Sequence, residues 1–326
     1  MQTFFLLLLG FVLLVGGGEL LVRGAVSLAE RLGLSPMLVG LTVVGLGTSM
    51  PELATSVQAA LQGSPGIAIG NIVGSNIANT LLILGAAALL APMAVERLVL
   101  WRDGMVGLAG VAMMIAAGCF SGLTVWVGSV FIAVLGAYIG LAYAQERRAA
   151  LTSAASLRTA AVEEADPAIH PDPSQSPSLV KAIALFVAGS AVVIAGGTLL
   201  VDAAIALASA LGVSDTVFGL TVVAAGTSFP ELVTTIVAAL RKQSAIALGN
   251  VLGSNIYNIF FIGGITGIVA PGPIPTGILT FDMWVLLGAS AIAMLFAWTG
   301  GRLGRREGAT LIFAYIAFLV FTVMGA

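Results

Sequence analysis

The sequence predicts an all-α polytopic membrane protein: ten transmembrane helices in two inverted-topology five-helix repeats, with broken helices at the membrane midplane. Three observations lead to this fold class. Of the 326 residues, 59% are hydrophobic and 9% are charged, which leaves too few polar side chains to cover a soluble globule. Apolar runs of about 20 residues recur along the chain. Finally, residues 33–79 recur at 212–258.

Charged and Pro/Gly-rich breaks divide the hydropathy into apolar segments, each near the length of about 20 residues that a bilayer requires. The run from Phe4 to Val15 is interpreted as the first span rather than a signal peptide, because no basic residue precedes it. The predicted spans are 3–22, 35–60, 67–93, 104–119, 124–144, 180–204, 214–240, 246–270, 283–299 and 308–325.

The basic residues predict the orientation. If both termini face outward, all 13 Lys and Arg residues lie on one side of the membrane, which the positive-inside rule assigns to the cytoplasm. The polar, Pro-rich segment 145–179 is then a flexible cytoplasmic linker between a first repeat at 1–144 and a second at 180–326. It contains His170, the only histidine, so no histidine is expected within the membrane.

Composition also excludes several classes. A net charge of −2 gives no general attraction to nucleic acid, and the single Cys119 excludes an internal disulfide and a Cys-rich metal site. The chain contains no nucleotide-binding loop or nucleophile arrangement, so neither an enzyme nor an ATP-driven pump is expected. No cofactor and no obligate protein partner is indicated.

The repeat is a duplication. A shift of 179 residues aligns 33–79 with 212–258 without a gap, and 26 of the 47 positions are identical. Because each half holds an odd number of spans, five, the second half must enter the membrane from the opposite side.

The first repeated motif places a carboxylate at membrane depth. It reads Gly-Thr-Ser-Met-Pro-Glu at 47–52 and Gly-Thr-Ser-Phe-Pro-Glu at 226–231. An ionisable group there costs about 3 kcal/mol and marks a functional site by default. Pro51 and Pro230 lack an N–H and must break or kink the helix, which frees carbonyl oxygens beside the Thr and Ser hydroxyls. Oxygen ligands of this kind suit hard cations such as Ca2+ and Na+.

The second motif is Gly-Asn-x-x-Gly-Ser-Asn, at 70–76 and 249–255, followed three residues later by a further Asn. Ser75 and Asn79 are four residues apart, as are Ser254 and Asn258, so each pair shares one helix face. The small-xxx-small glycines permit close helix contact, by which the two motifs of one half are expected to meet. The other Asn residues of the motif are interpreted as helix-to-helix hydrogen bonders rather than ligands.

These duplicated motifs resemble the signature of the sodium/calcium exchanger branch of the Ca2+/cation antiporters, and the resemblance covers essentially the whole chain. It implies an antiporter that exchanges cytoplasmic Ca2+ for external Na+, and a prokaryotic type in the cell (inner) membrane. Spans one and six resemble the gating pair of that family. The implied ion ligands are Glu52, Glu231, Thr48, Ser49, Thr227, Ser228, Ser75, Ser254, Asn79 and Asn258, with backbone carbonyls at Gly45 and Ala224.

Alternatives remain at this point. Several family members carry Asp where this chain has Asn258, which leaves two acidic groups in the implied site and favours exchange that does not need K+. A Ca2+/H+ exchanger on the same fold would use Glu52 and Glu231 for Ca2+ and protons in turn. A cation channel fits less well, because channels usually build pores from rings of subunits. The structural alternative is a pair of buried, protonated carboxyls bonded to neighbouring hydroxyls.

Overall fold

A computed structural model of the chain describes residues 2–32, 35–61, 63, 65–95, 97, 100–163, 178–210 and 224–324. In these ranges seven helical segments are long and apolar enough to cross a membrane. The number is eight when the bent pair Met37–Thr48 and Met50–Leu61 is one span. The protein is therefore a helical membrane protein, as the composition predicts.

The described helices and strands follow in chain order. The first are α1 (Gln2–Leu32), α2 (Pro36–Val39), α3 (Gly45–Thr48), α4 (Met50–Leu61), α5 (Pro65–Ile77), α6 (Leu84–Leu90) and β1 (Met93–Ala94). Next are α7 (Met105–Phe120), α8 (Val125–Glu163), α9 (Leu179–Ala210), α10 (Ala224–Thr227) and α11 (Phe229–Leu240). The last are α12 (Ser244–Ile256), α13 (Gly263–Val269), α14 (Met283–Gly300), β2 (Arg302–Leu303) and α15 (Arg305–Met324).

Wider π-helical turns interrupt several spans. They cover Gly40–Val44, Ala78–Ile83, Leu100–Gly104, Tyr257–Ile262 and Ile278–Asp282. The turns at 78–83 and 257–262 are separated by the repeat offset of 179 residues, and they contain Asn79 and Asn258. Since π-turns are rare and often accompany functional sites, their recurrence at equivalent positions directs attention to these two residues.

Two predicted segments differ from the structure or lie partly outside it. Helix α8 continues to Glu163, so the first part of the segment predicted as a flexible linker from residue 145 is helical. Its Ala-, Arg- and Glu-rich sequence consists of good helix formers, which outweigh its polarity. Residues 164–177 of the linker and 211–223, which include the start of the predicted span 214–240, lie outside the described residues.

Both predicted helix breaks are present. Thr48 ends α3 and Met50 begins α4, and the two parts of this span meet at an angle of 44°. The hinge residue Ser49 has φ −83° and ψ 6°. In the second half Ser228, with φ −86° and ψ 6°, occupies the equivalent hinge between α10 and α11. Proline two residues after each hinge removes the donor that would continue the helix, so the break follows from local sequence.

The small residues Gly249 and Gly253 of α12 lie where this helix contacts the first half. A methyl group added at Gly253 would lie 2.3 Å from the carbonyl oxygen of Leu41, and one at Gly249 would lie 2.7 Å from that of Met37. The expectation that these glycines press together the two motifs of one half is therefore wrong for α12. Its glycines face the first half, because the α12 backbone crosses residues 37–41 there at close range.

Backbone pairing also joins the loops of the two halves. Strands β1 and β2 pair antiparallel, with Met93 opposite Leu303 and Ala94 opposite Arg302. A single bridge joins Leu123 and Gly272, which exchange hydrogen bonds of 2.9 and 3.0 Å. At the 179-residue offset, residue 93 corresponds to 272 and residue 123 to 302. The two contacts therefore join equivalent loops with a register shift of one residue, since Met93 lies opposite Leu303, a relation that hydropathy alone does not reveal.

Helices α1 and α9 pack against each other along much of their length. Added methyl groups at Gly189 and Gly24 would lie 2.3 Å from the Leu21 nitrogen and 2.4 Å from the Phe186 nitrogen. Glu19 of α1 forms ion pairs with Arg23 and with Arg241, which directly follows α11. The α1–α9 pair is thus closely packed within itself, and an ion pair links α1 to the residue that follows α11.

The glycine crossing generates a stability prediction. Gly253→Ala places a methyl group against Leu41 and is expected to cost about 1–3 kcal/mol through overpacking. The matched control is Gly136→Ala, because a methyl group at Gly136 meets nothing within 4 Å. The temperature at which detergent-solubilised protein loses its monodisperse peak should fall for Gly253→Ala alone. Equal melting of both variants would contradict the close crossing.

Candidate cation-binding site

The two carboxylates lie in the interior of the protein. Glu52 is in the first turn of α4 and Glu231 in the first turn of α11, and both are fully buried, with 0% exposure. Each follows its hinge by three residues and therefore projects from the N-terminal end of a half-helix. That end carries a partial positive charge from the aligned peptide dipoles, which favours an anionic side chain.

Each carboxylate accepts a hydrogen bond from a serine hydroxyl of the other half of the chain. The Ser228 hydroxyl donates to Glu52 Oε1 and the Ser49 hydroxyl donates to Glu231 Oε1, both at 3.3 Å. The two bonds are equivalent at the 179-residue offset. Ser228 makes no side-chain cap to its own helix α11, because its hydroxyl crosses to Glu52 instead. The hinges thus bring both carboxylates into one polar centre.

The predicted threonines lie beside the serines and contact a second pair of residues. The Thr227 hydroxyl donates to Asn71 Oδ1 at 3.2 Å, and the Thr48 hydroxyl lies 3.1 Å from Asn250 Oδ1. Thr48 also lies 3.3 Å from the Ser254 hydroxyl, which brings α12 to the first hinge. All of these contacts join one half of the chain to the other.

The remaining predicted ligands lie in α5, α12 and the two π-turns that follow these helices. Ser75, Ser254, Asn79 and Asn258 are all fully buried, at 0% exposure. Several of their atoms have no hydrogen-bond partner among the described residues. These atoms are Ser75 Oγ, both polar atoms of Asn79, and Asn258 Oδ1, and the same holds for Glu52 Oε2 and Glu231 Oε2.

Buried oxygens without partners are costly, at about 1–3 kcal/mol each and more for a charged group. In native proteins such groups call for an explanation, of which a bound ion is one. The described residues contain no cluster of three or more His, Cys, Asp or Glu side chains. A cation held here would therefore be coordinated by two carboxylates together with neutral hydroxyl, amide and carbonyl oxygens, which is the donor set that Ca2+ and Na+ prefer.

The two predicted backbone ligands are placed differently. The Gly45 carbonyl accepts from the Ser49 backbone N–H at 3.2 Å and lies 3.3 and 3.4 Å from the hydroxyls of Thr48 and Ser254. Ala224 is the first residue of α10, at the border of the undescribed segment 211–223, and its role as a ligand stays a prediction.

The other asparagines of the second motif form hydrogen bonds inside the protein. Asn71 and Asn250 contact the main chain of the two glutamates, as the interpretation of these residues as helix-to-helix hydrogen bonders predicts. Asn258 donates to Asn76 Oδ1 at 3.2 Å, and Asn255 donates to Thr80 at 2.9 Å. Thr80 was not identifiable from the sequence, because its counterpart at the repeat offset is Ile259.

Comparison with known proteins shows what the chain is similar to. A family model described as "Sodium/calcium exchanger protein" matches residues 2–144 and 181–324. The chain is 36% identical over 342 residues to the sodium/calcium exchanger MaX1 of Methanosarcina acetivorans, covering 98% of this chain and 97% of that protein. It is also 36% identical to the putative antiporter CaxA of Alkalimonas amylolytica, over 95% of each chain.

Solved structures agree with the sequence matches. The sodium-calcium exchanger NCX_Mj, soaked with Na+ and Ca2+, superposes with a TM-score of 0.81 at 30% identity. The match covers 98% of each chain.

The buried carboxylates generate a mutational prediction. Glu52→Gln and Glu231→Gln each keep the size of the side chain but remove a negative charge that a divalent ion needs. Each is expected to lower Ca2+ transport by more than about 100-fold. This is more than the loss of about 10- to 100-fold that follows removal of a group that only hydrogen-bonds to a metal ligand. Glu307→Gln is the control, since Glu307 accepts from Gly304 N–H next to β2, away from the centre.

Radioactive Ca2+ flux is measured in vesicles matched for the amount of inserted protein. Ca2+ flux near that of the unchanged protein in either Gln variant would remove that glutamate from the set of ligands.

Proposed function

The chain belongs to the sodium/calcium exchanger family, a family of transporters rather than enzymes, and from that premise we propose that it exports cytoplasmic Ca2+ in exchange for external Na+ without needing K+. The observation that carries the proposal is the reciprocal pair of contacts at the hinges. Each buried glutamate is bonded to a serine of the opposite half, so the two carboxylates share one oxygen-rich centre.

Charge balance explains why such a centre exchanges ions rather than carrying them together. Two ionised glutamates are neutralised by one Ca2+ or by two Na+, and a third Na+ leaves the centre one charge positive. Both loads need the same oxygens, so one ion species displaces the other. A carrier that changes access only when suitably loaded then couples the two fluxes.

Independence of K+ rests on Asn258. Its amide is neutral, and so is that of Asn79 at the equivalent position in the first half. The centre therefore has two acidic groups, enough for Ca2+ alone. A further carboxylate would supply the charge to hold a K+ beside Ca2+, and neither amide supplies it.

We propose a ten-span, inverted-repeat topology, supported by the loop contacts. With both termini outside, the loops holding β1 and β2 are both cytoplasmic, since six predicted spans separate them. The loops holding Leu123 and Gly272 are both external, with four predicted spans between them. An odd number of spans between either pair would place its members on opposite sides, where they cannot pair.

Alternating access in this proposal is a movement of α1 and α9 against the remaining helices. The two helices pack backbone to backbone through Gly24 and Gly189, so they are suited to move as a pair. Glu19 links α1 to Arg241 through an ion pair. The repeat gives α9 no equivalent acidic residue, because Thr198 stands at the position that corresponds to Glu19. The ion pair would have to rearrange when the pair moves.

Flux measurements in everted vesicles test the coupling. Vesicles loaded with Na+ and diluted into Na+-free medium should accumulate Ca2+, and a Na+ ionophore should abolish the uptake, because dissipating the gradient removes the driving force. Replacing all K+ by choline should leave the uptake unchanged, and an acid-inside pH gradient without Na+ should not drive it. The Glu52→Gln variant provides the background.

Other outcomes would refute the proposal. Uptake driven by the pH gradient and indifferent to Na+ would identify a Ca2+/H+ exchanger. Downhill Ca2+ flux without any counter-ion would identify a channel. Uptake that requires K+ would contradict the role given to Asn258.

Cysteine accessibility tests the topology. In a Cys119→Ser background, Ser174→Cys in the central linker should react with a membrane-impermeant maleimide in everted vesicles and not in right-side-out vesicles. Gln2→Cys should show the reverse pattern, because the N-terminus is placed outside. Labelling of both positions from the same side would rule out ten spans with external termini.

A further inference from the structure

One asparagine in each half joins three segments at the centre. The amide nitrogen of Asn71, in α5, donates to the main-chain carbonyl of Glu52 at 3.3 Å and to the Ser56 hydroxyl at 3.0 Å, both in α4. Its amide oxygen accepts from the Thr227 hydroxyl of the other half at 3.2 Å. Asn71 therefore connects the two helices of its own half to the opposite hinge.

Asn250 repeats this arrangement with the halves interchanged. Its amide nitrogen donates to the main-chain carbonyl of Glu231 at 3.3 Å and to the Thr235 hydroxyl at 2.9 Å. Its amide oxygen lies 3.1 Å from the Thr48 hydroxyl. Each contact of Asn250 equals one of Asn71 after the 179-residue shift, so the geometry occurs twice within one molecule.

The use of their polar atoms separates these two residues from the ion ligands. Asn79 and Asn258 each have a buried amide oxygen without a partner among the described residues, whereas both polar atoms of Asn71 and of Asn250 are engaged. An amide oxygen that already accepts from threonine is poorly available to a cation. The amide nitrogen contacts the glutamate's main chain and leaves the carboxylate itself for the centre.

We propose that Asn71 and Asn250 are positioning residues that set the separation of the two carboxylates, and through it the preference for Ca2+ over Na+. The proposal rests on the exchange function proposed above. Each amide holds the backbone of one glutamate and, through threonine, the hinge of the opposite half. The pair of links therefore limits how far the two half-helices can move apart or rotate.

The two ions depend differently on that separation. Ca2+ neutralises both carboxylates at once and needs oxygens at about 2.3–2.6 Å, so it requires both glutamates within bonding distance of one point. A Na+ ion balances one carboxylate and does not require the second at the same distance. Loosening the links should therefore weaken Ca2+ binding more than Na+ binding.

The experiment measures half-saturating Ca2+ and Na+ concentrations in the vesicle assay for the unchanged protein, Asn71→Ala and Asn250→Ala. Each variant should raise the Ca2+ value by about tenfold, the lower end of the effect of removing a partner that orients a metal ligand. The half-saturating Na+ concentration should change less than about twofold, because the substitution alters the spacing of the carboxylates and not their charge.

Two matched controls remove a partner of the same amide nitrogen but keep its bond to the glutamate carbonyl. Ser56→Ala and Thr235→Val should leave both half-saturating values within about twofold of the unchanged protein, because neither link between the halves is lost. Should an alanine variant fail to insert, Asn71→Ser and Asn250→Ser retain a small polar group, and the same ratio is measured on them. The ratio does not depend on how much active protein is present.

The outcomes separate the two proposals. If the unchanged protein shows no Na+-driven Ca2+ uptake, the exchange function fails whatever the asparagine variants do. Suppose instead that the unchanged protein exchanges the two ions. If the ratio of half-saturating Ca2+ to half-saturating Na+ concentration in the asparagine variants then stays within about twofold of the ratio in the unchanged protein, the positioning role fails. An equal rise of both values would also overturn it, since that result indicates a general loss of binding rather than a change in spacing.

Discussion

Burial of two carboxylates inside a membrane protein is the constraint on which the rest of this structure depends. Each ionisable group at that depth costs about 3 kcal/mol on insertion scales and is stable only beside compensating groups. The structure surrounds Glu52 and Glu231 with the N-terminal ends of half-helices, a serine hydroxyl each and a set of neutral oxygens. Several of those oxygens have no partner within the described residues, and oxygens of this kind are suited to coordinate a cation.

Compensation comes largely from the opposite half, and this explains why the duplicated halves depend on each other. The hydroxyl contacts of the hinge serines and of the threonines before them cross between residues 156 to 202 positions apart, and they form two equivalent pairs. One half alone would hold a carboxylate with its partners missing. The hinge serines, the threonines before them and the prolines after them are identical in the two halves, whereas Glu19 stands against Thr198 and Thr80 against Ile259.

Local sequence predicted much of this site. Proline at 51 and 230 predicted the two breaks, because a missing N–H acts on its own helix whatever the surroundings. The residue types at the centre followed from the repeated motifs. The length of α8 was predicted wrongly, since polarity indicated a flexible segment where helix propensity extends the helix to Glu163. The direction in which Gly249 and Gly253 face was also missed, because spacing shows that a helix surface is small but not which helix crosses it.

The sequence by itself determined the membrane class, the duplication, the two hinges and the oxygen-rich residues beside them. These follow from hydropathy, from identity at a constant offset of 179 residues and from proline chemistry, all of which are readable along the chain. Only the tertiary structure decided that each glutamate accepts a hydrogen bond from a serine of the other half. It also decided that the amides of Asn71 and Asn250 link the two halves, while the amide oxygens of Asn79 and Asn258 have no partner among the described residues. Those pairings depend on how distant helices cross, and no local pattern encodes a crossing.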